Sequence, residues 1–175
     1  MEYLLTFQKK YHFSIQIDMI IFEPMVSIEE ARQSIRFLMK YAYGSMRNEM
    51  NFFHRMILFP GTEYRQVMYE RGLISHANAS TLPFWYFADK CVAQLYSYIL
   101  LYQEVILISK NCLQEKLKKS INDDIGKNLH LVHDLRTLQT LTYRYISDLL
   151  ESEQEDYPKV FQQYCTQFDN IRKNK

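Results

Sequence analysis

Ile17-Asp18-Met19-Ile20-Ile21-Phe22-Glu23-Pro24 runs into Ser27-Ile28-Glu29-Glu30, and further on stand Ile57-Leu58-Phe59-Pro60-Gly61-Thr62 and Glu70-Arg71-Gly72-Leu73-Ile74. The order of these segments decides the fold expected of the chain. Phe13 to Phe22 is rich in Ile and Phe, with Asp18 its one charge, which predicts a strand covered on both faces. Pro24 closes it. Ser27-Ile28-Glu29-Glu30 has the Ser-x-x-Glu form of a capping box, in which hydroxyl and carboxylate satisfy each other's orphan backbone donors. A helix therefore starts there. Ile28, Ala31, Ile35, Leu38, Met39 and Ala42 recur at spacings of three and four and give one apolar stripe, with Glu29, Arg32, Arg36 and Lys40 off it. Gly44 ends the helix. Phe52 to Phe59 predicts a second strand, and Pro60-Gly61-Thr62 turns the chain into a short helix from about Glu63 to Arg71, with Gly72 at its stop. Strand, helix, strand is a βαβ unit, whose two strands are parallel neighbours.

Beyond this segment the periodicity changes. From Asp89 on, long helices are predicted: Asp89 to Lys118, then Leu129 to Glu151, with a third after Pro158. The second repeats Leu131, Leu135, Leu138, Thr142, Tyr145 and Leu149 at spacings of three and four; the third carries Val160, Phe161, Tyr164, Phe168 and Ile171. Such stripes need partners to pack against. Small polar residues cluster between Gly72 and Pro83, so the chain divides into residues 1–74 and a helical region, 75–175. Residues 1–11 read as the tail of a helix.

A hydrophobic share of 47% and an aromatic share of 15% exceed what a disordered chain carries, so a real core is expected. The 21 basic and 20 acidic side chains nearly cancel and are interspersed, which disfavours nucleic acid as a partner. Cys91, Cys112 and Cys165 are odd in number and far apart, which argues against a disulfide framework and for a reducing compartment, by default the cytoplasm. Met1-Glu2-Tyr3-Leu4-Leu5 places an acid where an export signal has a basic region. The apolar tract from Cys91 to Gln103 is interrupted by Gln94 and Ser97 and reads as buried helix rather than a membrane span, which needs roughly 20 apolar residues.

The two strand ends, with Phe22-Glu23-Pro24 before the capped helix and Phe59-Pro60-Gly61-Thr62 before Glu70-Arg71-Gly72-Leu73-Ile74, resemble the fifth and sixth strand–helix units of radical SAM enzymes. The likeness is closest to the branch that carries a cobalamin-binding domain, covers about Phe13 to Ile74, and extends to Tyr86-Phe87-Ala88-Asp89-Lys90 as part of the family's less regular tail. It implies an α/β fold: an incomplete (β/α) barrel piece with two parallel strands, followed by an all-α region. It also implies that Ile20, Phe22, Glu23 and Pro24 at one strand end, and Leu58, Phe59, Pro60 and Gly61 at the other, line a pocket for the adenosine part of S-adenosylmethionine. Many family members have Gly where Phe22 and Met25 stand, whereas an aromatic and an acid before the proline suit the cobalamin branch. The Cys-x-x-x-Cys-x-x-Cys motif is missing, and three closely spaced thiolates are what hold a four-iron, four-sulfur cluster. The resemblance thus implies a chain that makes no radical by itself: either part of a split enzyme, working with an N-terminal half that would bring the cluster, S-adenosylmethionine and, in this branch, cobalamin together, or an inactive remnant of such an enzyme.

Without the resemblance, Pro60-Gly61-Thr62 reads as a tight turn with Thr62 capping a helix. His130, His133 and Asp134 share a helix but fall short of a closed ligand set. No Gly-x-Ser-x-Gly elbow occurs. Phe84-Trp85-Tyr86-Phe87 reads as core that seals a junction between layers. The rival to an enzyme part is a non-catalytic helical interaction module whose Leu129 to Glu151 stripe pairs with a partner helix.

Overall fold

The computed structural model describes residues 3, 10, 11, 19–42, 52–74, 84–120 and 125–173. Among the described residues five helices of defined extent follow one another: α1 (Ile28–Ala42), α2 (Glu63–Glu70), α3 (Lys90–Ser120), α4 (Ile125–Glu151) and α5 (Tyr157–Lys173), with a short 3-10 turn at Gln154–Asp156 before the last. Backbone contacts group Met1–Ala93 and Gln94–Lys175 into two compact units. Tyr3, Lys10 and Tyr11 are helical.

The expected pair of parallel strands is overturned. Among the described residues there is no β-strand, so the chain is not an incomplete (β/α) barrel piece. What remains of the pairing is one isolated parallel bridge between Phe22 and Arg55, with Met56 N–H donating to the Phe22 carbonyl at 2.8 Å. A ladder needs consecutive pairs, and both segments leave the register at once. Pro24, which has no N–H to give, begins a turn two residues after the bridge, and Phe52-Phe53 already lie in a turn on the other side. Residues 13–18 of the first predicted strand, and Gly44, lie outside the described residues.

The predicted helix start is built as a capping box. Ser27 N–H donates to Glu30 Oε2 at 2.9 Å, and Glu30 N–H donates back to Ser27 Oγ at 3.3 Å. Ala31, Ile35 and Leu38 of α1 are fully buried, each of the two larger side chains contributing on the order of 2 kcal/mol. A second cluster in this unit gathers Leu58, Met68, Ile74 and Trp85.

In the second unit the predicted stripe of α4 is its core face from Leu135 on: Leu135, Leu138, Thr142, Tyr145 and Leu149 are buried, while Leu131 is half-buried. Tyr145 lies flat on Tyr102 of α3, ring centroids 4.1 Å apart, and donates its hydroxyl to the Tyr98 carbonyl at 2.7 Å. Tyr164 of α5 meets both rings edge-on and donates to Asp148 Oδ2 at 2.6 Å. Tyrosine serves here because its ring fills the core while its hydroxyl reaches a partner. Residues Lys90–Lys119 of α3 are long and apolar enough to cross a membrane by length and composition, and a third of their most apolar stretch is buried within the chain.

Candidate functional site

The site implied by the sequence lies in the first unit, where the Phe22–Arg55 bridge sets two extended segments side by side. Along the second segment side chains alternate as extended backbone requires: Ile57 and Phe59 are exposed while Leu58 is buried. Along the first, Ile20 is exposed and Ile21 and Phe22 are buried. Ile20 and Phe59 thus meet at an open concavity of about 670 Å³, shared with Met19, His54, Arg55, Met56 and Ile57.

The other residues of the expected pocket are distributed differently. Phe22, Pro24 and Leu58 point into the interior, and Phe22 packs edge-on against Phe87 at 6.2 Å. Glu23 is half-buried, and its Oε2 accepts from Met25 N–H at 3.1 Å and from the Tyr64 hydroxyl. Burial of the Tyr64 phenol, and then its hydrogen bond to Glu23, push the Tyr64 pKa upward. Pro60 and Gly61 line a separate concavity of about 530 Å³ with Thr62, Glu63, Arg65, Gln66, Tyr69 and Ile74.

Gly61 has φ +79°, and a Cβ built on it would meet nothing within 4 Å. Pro followed by a positive-φ Gly is the pattern of a type II turn, and Thr62 then caps α2, its hydroxyl accepting from Arg65 N–H at 3.3 Å. Helix capping therefore accounts for Thr62. The glycine is required by the backbone and leaves the space beside it open.

Arg55 was not singled out by sequence, although a cation within an apolar, strand-like run is a signal that could have found it. Its guanidinium lies 3.8 Å from the Trp85 ring centroid, with Phe84 and Phe87 at 5.4 and 5.2 Å, and donates to the Trp85 carbonyl. Trp85 in turn donates Nε1–H to the Met56 carbonyl at 2.9 Å. Phe84 to Phe87 is thus core only at alternate positions, since Trp85 is buried and Phe84 and Tyr86 are exposed. An antiparallel bridge from Trp85 to Ile74, and Ala88 N–H donating to the Pro24 carbonyl at 2.8 Å, lash this segment across both halves of the site.

Among the described residues no group of three His, Cys, Asp or Glu side chains is placed to hold a metal ion. His130 and His133 are both exposed on α4, and Cys91, Cys112 and Cys165 are free thiols. No protein-family model, no curated protein and no solved structure matches the chain.

Proposed function

We propose that this chain contributes the adenosine-facing surface of a radical SAM enzyme whose cluster cysteines lie outside these 175 residues, on a separately encoded N-terminal half. The observation that carries the reading is the concavity where exposed Ile20 and Phe59 come together beside the Phe22–Arg55 bridge, at the two segments whose wording resembles that family. Apolar side chains left in water at a concave surface suit a planar base or an apposed protein wall. The chemistry would be reductive cleavage of S-adenosylmethionine, begun at a cluster that this chain does not hold; cobalamin would likewise be bound elsewhere. Ile20 and Phe59 would form the apolar contact, and the Pro60-Gly61 turn would bring backbone close to the ligand.

Titrating the isotope-labelled chain with S-adenosylmethionine to millimolar concentration tests the reading, since a half-site binds weakly and about 4 kcal/mol corresponds to a millimolar Kd. Selective shifts of the Ile20, Ile57, Leu58, Phe59 and Gly61 amides are expected, with Leu135 to Leu149 unmoved. Shifts absent throughout, or spread evenly over both units, would sink it.

A second reading, a non-catalytic helical interaction module, is favoured by one observation: Leu101, Leu107 and Ile108 on α3 remain exposed. The Leu135 to Leu149 stripe of α4 is already buried within the chain, so in this reading the partner would contact α3.

A further inference from the structure

We draw no further inference here: the strongest candidate, the surface patch on α3 where Leu101, Leu107 and Ile108 stay exposed, is an unpartnered apolar face, and nothing in the structure shows what covers it.

Discussion

Ile28 donates its backbone N–H to Asp89 Oδ2 at 2.9 Å, across 61 residues of sequence. The other oxygen of the same carboxylate accepts from Cys91 N–H at 2.7 Å, so one side chain caps α3 and also serves the first turn of α1. Each helix start leaves backbone donors without intrahelical partners, and its dipole favours a negative charge there. Asp89 answers both demands at once. Burial of its carboxyl opposes ionisation, but the N–H groups of Ile28, Cys91 and Val92 outweigh it and hold the pKa below the ordinary 3.8.

Asp89→Ala should therefore destabilise the first unit by about 2 kcal/mol, the upper end for a lost cap, because two helix starts lose an acceptor. Asp89→Asn keeps a capping oxygen and should cost less. The sign of the pH effect follows from a depressed carboxylate pKa: the stabilisation is present above the unfolded value and is lost as pH falls through the folded one. Urea denaturation of the parent should show stability declining below about pH 4, with a shallower decline in Asp89→Asn. Identical pH profiles would remove Asp89 from this role.

Trp85 is the chain's one tryptophan and is 4% exposed, so its fluorescence reports the first unit alone. Its emission should be blue-shifted and resistant to iodide quenching until that unit unfolds. Trp85→Ala removes a buried ring, the stack on Arg55 and the hydrogen bond to Met56, and should cost roughly 3–5 kcal/mol. Trp85→Phe retains much of the packing and should cost less than half as much. A red-shifted, freely quenched emission from the native protein would contradict the burial on which both expectations rest.

The readable parts of this chain were those in which neighbouring residues settle the outcome. Ser27 and Glu30 lie three residues apart and build their capping box wherever the helix goes, and the spacing of Leu135, Leu138, Tyr145 and Leu149 fixed a core face on a helix with no further information. The strands failed for the opposite reason. An apolar run such as Phe52 to Phe59 looks the same whether it joins a ladder or passes a neighbour at one bridge, and pairing is decided by segments distant in sequence. The candidate site divided along the same line. Ile20 and Phe59 proved exposed while Phe22 and Leu58 turned inward, which depends on side-chain direction at each position. Arg55 and Trp85, 30 residues apart, meet only in three dimensions.

In the second unit, Tyr145→Phe deletes the hydroxyl that reaches the Tyr98 carbonyl while keeping the ring on Tyr102, so a loss of about 1 kcal/mol is expected. Burial, and then the nearby Cys165 thiol, raise the Tyr145 pKa well above the ordinary 10.0. Burial and the hydrogen bond to Asp148 raise that of Tyr164. Both stay protonated in the folded protein where the unfolded chain would ionise. Stability should therefore hold up to about pH 10 and fall above it, and phenolate absorbance at pH ~11 should stay short of the full tyrosine count until denaturant is added. Complete ionisation of the native protein at that pH would refute the buried placement.

Two glycines allow the proposed site to be separated from simple backbone strain. Gly61 and Gly72 have φ of +79° and +70°, and neither would bring an added Cβ within 4 Å of another atom. Valine at either position is strained by the left-handed backbone, and a branched side chain suffers most there. Gly61→Val and Gly72→Val should thus each lose about 1–2 kcal/mol of stability, by similar amounts. Gly61 stands two residues after Phe59 of the proposed adenosine surface and lines the separate concavity that begins at Pro60, whereas Gly72 lines neither, so only Gly61→Val should weaken S-adenosylmethionine binding, by at least tenfold or about 1.4 kcal/mol. Arg36→Ala, on the exposed face of α1, serves as the neutral control. Amide shifts on titration give the affinities, and circular dichroism establishes that each variant is folded. Equal weakening in the two valine variants would mean that strain, rather than contact, carries the effect, and would leave Pro60-Gly61-Thr62 as a turn that caps α2.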